Sequence, residues 1–310
     1  EGYYAASIET DVQDGEPAQA VVRVTPGAIF RIRDPAVEWV GTAPPEATQS
    51  RAVEALDLVA GAPGRAADVI AAEGRAVAVV QKQGYADVAP APREVIVDHA
   101  DRSVQPTYRI NAGALVRLNG LDLVTAGRTN PRWLRRLAPW REGDAYDPED
   151  VAELERRLLD TGVYDSVTVA LAPIDKATPD GLRPIVVSVA DRARRTIELG
   201  ASYSTTEGVG AEVRWTRYNV LGRADTLGVL ARASDQDSRL GVELTLPHWR
   251  RPQQTLRTGA AAYSVKTDAY DETGVGARLD VERRFSKTSY LTVGGSIDYG
   301  ETQEKQIELT

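Results

Sequence analysis

The chain has 310 residues, a formal net charge of −8, 42% apolar and 26% charged side chains, and neither cysteine nor methionine. This length holds roughly two domains of ~100–200 residues, and the missing cysteines exclude a disulfide framework or a thiolate metal cluster. The longest unbroken apolar run, Ala76–Val80, falls far short of the ~20 residues of a membrane-spanning helix. Residues 1–192 carry net −8 and residues 193–310 carry zero; with no basic half, nucleic acid is not an expected partner. Opening on Glu1-Gly2-Tyr3-Tyr4 with no signal segment, the sequence reads as a piece of a longer chain.

The first half repeats itself. Gly2-Tyr3-Tyr4, Gly84-Tyr85 and Gly162-Val163-Tyr164 recur with glycines 82 and 78 residues apart. Val22–Ile32 matches Tyr108–Leu118, with Gly27 and Gly113 spaced 86 apart. The unit is about eighty residues, the size of a small domain rather than of a solenoid repeat. In the first complete unit, Val53, Leu56 and Val59 at helical spacing predict a helix from Glu46 to about Leu58, stopped by Gly61-Ala62-Pro63-Gly64. Ala-rich Arg65–Gln83 predicts a second helix ended by Gly84. Strands are expected over about Asp87–Asp98 and Thr107–Leu118. In the next unit, Thr129-Asn130-Pro131 caps one helix and Asp147-Pro148-Glu149-Asp150 opens another with acids at the positive end of its dipole. Val151, Leu154 and Leu158 line one face, Gly162 closes the helix, and strands follow at Tyr164–Leu171 and Arg183–Val189. The order β-α-α-β-β predicts tandem α+β modules.

From Thr196 onward the period changes to two. Ile197, Leu199, Ala201 and Tyr203 alternate with Thr196, Glu198, Gly200 and Ser202, and similar runs recur to Tyr299 between turn signals at 206–208, 219–222, 235–237, 250–253 and 271–274. About seven strands and the start of an eighth fit. Such alternation suits either a soluble sandwich with one wet face or a transmembrane barrel with strands of ~9–11 residues. Long runs, small polar residues on the second face, and aromatics near strand ends (Trp215, Tyr218, Trp249, Tyr263, Tyr270, Tyr290 and Tyr299) favour the barrel. Of these, Trp215, Tyr218, Trp249, Tyr263 and Tyr290 are the expected membrane-interface aromatics.

At the junction the residues resemble a known family. Ile197–Gly210 looks like the first strand and turn of the barrel in the BamA/TamA superfamily of bacterial outer-membrane assembly factors. Tyr218-Asn219-Val220-Leu221-Gly222-Arg223-Ala224-Asp225 is similar to its N-x-L-G-x-G signature, with Ala224 where Gly is commoner. Leu244–Trp249 resembles the end of its fourth strand, and Gly143–Asp147 with Gly162–Asp165 resembles the entry and exit of the second helix of a POTRA module. The resemblance implies the C-terminal part of one POTRA at 1–27, further POTRA modules at 28–111 and 112–192, and the N-terminal portion of an antiparallel transmembrane β-barrel at 193–310. Three modules favour the TamA-like branch. The family's Arg-bearing V-R-G-[FY] loop is not in this sequence.

The function so implied is assembly and insertion of outer-membrane proteins, with modules in the periplasm of a Gram-negative bacterium. Unpaired backbone groups cost several kcal/mol each in lipid, and a client strand satisfies them by adding to an exposed edge. The implied edge is the first barrel strand, Thr196, Ile197, Glu198, Leu199, Gly200, Ala201, Ser202 and Tyr203. The resemblance implies as partners unfolded outer-membrane proteins or autotransporters, a periplasmic or inner-membrane subunit, and the lipid bilayer, with no cofactor. Two alternatives stand beside it: a two-partner secretion transporter of the same superfamily, which normally has two POTRA modules and a plug helix, and a soluble adhesion or scaffold protein built on a β-sandwich.

Other residues have plainer readings. Gly200 is read as a packing or twist residue before a gate, Arg194-Arg195 as interface anchor or solvated linker, and Arg132, Arg135 and Arg136 as a wet helix face before a headgroup site. Glu149, Asp150, Glu153 and Glu155 read as cap and surface charge. His99 and His248 stand too far apart for a metal-ligand pattern. No G-x-S-x-G elbow, P-loop or dinucleotide fingerprint occurs, and Gly294–Asp298 misses the elbow at its last position, so neither catalytic residues nor an enzyme are expected.

Overall fold

The computed structural model describes residues 2–13, 19–125, 127–205, 208–286 and 288–305. They fall into two compact units, one built mainly from residues 1–118 and the other from most of the remainder.

In the first unit, β1 (Ser7–Gln13) and β2 (Gln19–Thr25) form an antiparallel hairpin. A module follows. Its edge strand is split into β3 (Arg31–Ile32) and β4 (Ala36–Trp39), and both pieces pair in parallel with one side of β6 (Ser103–Asn111). The other side of β6 takes β5 (Ala89–Asp98) in antiparallel register. Between them run α1 (Glu46–Glu54) and α2 (Ala66–Lys82). The expected β-α-α-β-β order is therefore present. Val69, Ala72, Ala76 and Val80 of α2 are buried, one face of the helix at the period of the backbone. Val69, Ala72 and Ala76 meet Phe30, Ile32, Leu56, Val104, Tyr108 and Ile110 in one core cluster, and Val80 joins Ala52, Tyr85 and Ala112 in another. Tyr108 donates its hydroxyl to the Val69 carbonyl at 2.8 Å, and burial pushes its pKa up to about 12.

Two boundaries differ from the sequence reading. The first helix stops at Glu54 rather than near Leu58, because Asp57 turns to φ 49° and Arg75 takes the Ala55 and Leu56 carbonyls. The single strand expected at Thr107–Leu118 is two strands, β6 and β7 (Arg117–Thr125). Gly113 sits at φ 70° and its N–H donates to Asn111 Oδ1 at 3.0 Å, a side-chain turn that periodicity does not reveal.

In the second unit, β7, β8 (Tyr164–Leu171) and β9 (Leu182–Asp191) make a sheet in the order β7-β9-β8, accompanied by α3 (Pro131–Arg135) and α4 (Pro148–Leu159). Asn130 Oδ1 caps α3 through the Arg132 N–H at 2.8 Å, with Pro131 at the first helical position as expected. Trp133, Leu134, Leu154, Leu158, Val163, Ile185 and Val187 are buried here; each such side chain contributes roughly 1.5–3 kcal/mol by leaving water.

The rest of this unit is one antiparallel sheet of seven consecutive strands: β10 (Arg195–Ser204), β11 (Gly208–Tyr218), β12 (Thr226–Ser234), β13 (Asp237–Leu246), β14 (Gln254–Lys266), β15 (Tyr270–Arg284) and β16 (Tyr290–Glu304). An eighth strand would fall on residues 306–310, outside the described residues, as do residues 206–207 of the expected first turn. A sandwich divides its strands between two stacked sheets. Here every strand pairs with its sequence neighbour in one sheet, which overturns the sandwich alternative.

Candidate functional site

Directly opposed residues of antiparallel strands share a face, so the pairing registers sort the side chains of the sheet. One cross-strand row runs Ile197, Trp215, Val229, Val242, Ala260, Ala277, Ile297; the next runs Leu199, Val213, Ala231, Leu240, Ala262, Val275, Tyr299. Charges on this face stand only at strand ends: Arg195, Arg217 and Arg283 at one end, Lys266, Asp271 and Glu301 at the other. The opposite face carries Arg214, Arg232, Glu243, Arg278 and Asp298 around a cleft of about 750 Å³. The apolar face is open: Ile197 is 66% exposed, Leu199 78% and Ile297 75%. Exposure of an uncharged apolar surface this large marks an interaction face.

Glycines on the charged face make room for longer neighbours. A Cβ on Gly274 would lie 2.5 Å from the Tyr263 ring, and one on Gly276 would lie 2.5 Å from Asp298 Oδ2. Gly200 differs, since a Cβ there would meet only Glu212 Cβ at 3.8 Å.

Of the expected client-binding residues, Thr196 to Tyr203 all lie on β10, whose one partner is β11. Its second edge is unpaired among the described residues, and β16 closes the sheet at the far end with a second free edge. Thr196 Oγ1 is buried without a hydrogen-bond partner. Ile197, Leu199, Ala201 and Tyr203 point to the apolar face and the residues between them to the charged face.

The expected interface aromatics divide among the two faces of the sheet and a turn. Trp215 lies on the apolar face and Trp249 in the turn between β13 and β14. Tyr263 lies within the charged face, donating to Asp298 Oδ1 at 2.6 Å and lying 3.2 Å from Glu272 Oε1. Tyr218 and Tyr290 stand at strand ends in the register of the charged face, opposite Thr226 and Arg284. Proximity to a strand end does not fix the side on which a residue points; parity along the strand decides the face. Parity instead finds Tyr203 and Tyr299, 77% and 71% exposed on the apolar side.

A second constellation holds the turns at one end of the sheet. In the turn after β11, Asp225 is fully buried and accepts from the backbone N–H groups of Val220, Leu221 and Arg223 at 2.9, 2.8 and 3.3 Å. Asn219, at φ 56°, accepts from Ala224 N at 3.0 Å and donates through Nδ2 to Thr129 Oγ1 at 2.8 Å. Thr129 bonds Tyr164 Oη at 2.5 Å, and Asn130 N donates to the Gly222 carbonyl at 2.8 Å. Burial pushes the Tyr164 hydroxyl up to about 12. In the turn after β13, His248 Nδ1 accepts from Gln253 N and Nε2 faces the Arg157 carbonyl, both at 2.9 Å. The backbone donor assigns the neutral Nε2–H tautomer, and burial lowers the His248 pKa. Glu153, expected on the surface, is instead a hub that takes Arg157 Nε at 2.8 Å and Gln253 Nε2 at 2.5 Å. Sequence reasoning found the Asn219–Asp225 segment as a motif but could not name its partners on the α-helical module. Arg132, Arg135 and Arg136 are exposed, in keeping with a wet helix face.

This unit thus joins an α+β module to the turns of an open antiparallel sheet with one apolar face. Residues 219–309 match the Omp85 superfamily domain. The chain is 27% identical over 145 residues to the outer membrane protein assembly factor BamA of Neorickettsia risticii (strain Illinois), covering 46% of this chain and 19% of that protein. The fold is similar to BamA from Haemophilus ducreyi lacking POTRA domains 1–3 (TM-score 0.72, 17% identity, 90% of this chain and 52% of that one). It is also similar to CdiB from Escherichia coli (TM-score 0.52, 14% identity, 91% and 53%). The chain thus spans about half the length of these solved relatives.

Proposed function

We propose that the chain is part of an outer-membrane protein assembly factor that templates client β-strands on the free edge of β10. The carrying observation is the sheet itself: seven consecutive antiparallel strands with one exposed apolar face, of which β10, carrying Thr196 to Tyr203, is the first. A client strand entering lipid must pair its backbone groups, and β-augmentation on β10 does so without sequence-specific side-chain contacts. Residues 193–310 are the N-terminal portion of the barrel, 28–111 and 112–192 are POTRA modules in the periplasm, and 1–27 end another. Unfolded outer-membrane proteins or autotransporters are the clients, a periplasmic or inner-membrane subunit binds the modules, and the bilayer covers the apolar face, with Trp215 and Trp249 at one interface. No bond is made or broken, so neither catalytic residue nor cofactor has a role.

These 310 residues lack cysteine, so once any cysteine elsewhere in the full protein is replaced, single cysteines introduced along β10 report pairing cleanly. Disulfide trapping against a client's terminal strand is expected at successive β10 positions in one antiparallel register. Trapping on β13, inside the sheet, at equal yield would sink the proposal. Rescue of a strain lacking TamA, but not of one depleted of BamA, is expected from the TamA-like branch. Loss of one dedicated secreted cargo, with barrel proteins unaffected, would favour a secretion transporter instead.

A further inference from the structure

Arg195 and Arg217 are directly opposed across β10 and β11, on the apolar face, one step beyond the Ile197–Trp215 pair. Like charges in directly opposed positions repel, and neither arginine forms an ion pair with a described residue. Arg195 is exposed and Arg217 half-buried. Below them runs the uncharged ladder through Ile197 and Leu199, 66% and 78% exposed. Two unpaired cations at the rim of an apolar band, with an indole between them and the band, match a phosphate joined to hydrocarbon chains. A guanidinium pair suits phosphate oxygens in bidentate geometry.

We propose that Arg195 and Arg217 form a binding site for the headgroup of an anionic glycerophospholipid, whose acyl chains lie along Ile197 and Leu199 at the β10 edge. The proposal rests on reading the sheet as a membrane barrel. The occupant carries net negative charge because two unneutralised cations face it; a zwitterionic headgroup brings its own ammonium into the same field. The rim repeats this chemistry farther along, where Arg283 lies 5.5 Å from the Phe285 ring centroid and Arg250 lies 4.5 Å from that of Trp249. Lipid held there borders the strand that clients are proposed to join, so client entry displaces it.

The test uses the full protein with Trp249→Phe, reconstituted in phosphatidylcholine vesicles containing either brominated phosphatidylglycerol or brominated phosphatidylcholine. Bromine quenches Trp215 from within the adjacent lipid shell. Stronger quenching by the anionic lipid is expected, with a relative affinity that falls roughly fivefold per arginine removed in Arg195→Gln and Arg217→Gln, and falls with added salt. Arg239→Gln, on the charged face, leaves the preference in place and controls for altered folding. Equal quenching by the two lipids, or a preference unchanged in the double variant, overturns the site while leaving the barrel intact. No quenching by either lipid overturns the barrel reading and the site together. A preference abolished by an acidic peptide added to the vesicles assigns the arginines to protein and overturns the lipid site.

Discussion

Asp225 shows how one side chain builds a turn. Its carboxylate holds three backbone N–H groups of the β11–β12 turn while fully buried. Leaving buried donors unpaired costs about 1–3 kcal/mol each, so Asp225→Ala is expected to destabilise by about 3 kcal/mol or more, read as accelerated hydrogen exchange at Val220, Leu221 and Arg223. Ala224 gives a contrast. Its φ of 52° is strained for an L-residue by about 1–2 kcal/mol, but its methyl is fully buried and contributes about 0.8 kcal/mol. The two terms nearly cancel, so Ala224→Gly should leave exchange in the turn close to wild type.

His248 is the residue with a pH signature. It is packed near Trp133 of α3, faces Arg157 and Asp160 of the α4 end, and takes the Gln253 N–H on Nδ1. Burial holds its pKa below the ordinary 6.5, so the unfolded chain protonates first as pH falls. Stability is then unaffected above that region and declines as pH drops through it. Exchange protection over residues 247–253 is expected to weaken between about pH 7.5 and 5.5, and His248→Asn should flatten that dependence by keeping an acceptor that does not titrate. Equal pH dependence in both proteins would remove the histidine from the account.

At the scale of the element, strand parity organises everything. Val242 and Thr245 are three residues apart on β13 yet face opposite sides, Val242 opposite Val229 and Ala260, Thr245 opposite Thr226 and Arg257. An arginine on the lipid face of a barrel costs about 2–4 kcal/mol near the bilayer middle, whereas a lumen-facing one stays solvated. Val242→Arg is therefore expected to lower the yield of folded protein in lipid vesicles sharply, and Thr245→Arg much less. Equal yields would mean that the apolar face meets water. The β-α-α-β-β order, the seven strands and most element bounds were legible because burial periodicity is local. The break between β6 and β7 was not, because it depends on one Asn111 side chain bonding Gly113.

For the whole molecule, the net −8 belongs to residues 1–192, and residues 193–310 are neutral. No described helix is long and apolar enough to cross a membrane; the sheet reaches comparable apolar coverage with alternating strands whose average hydropathy stays low. By itself, the sequence determined the helix and strand order, the alternation and a family resemblance, since each rests on short-range spacing or a contiguous motif. Tertiary structure alone decided the pairing register that joins the apolar positions of the seven strands into one face. It also decided that Glu153, His248, Thr129 and Tyr164 join module to turns across 90 or more residues in the His248–Arg157 and Asn219–Thr129 contacts. Those partners meet only when the chain folds, because a hydrogen bond depends on distance in space and is blind to separation along the chain.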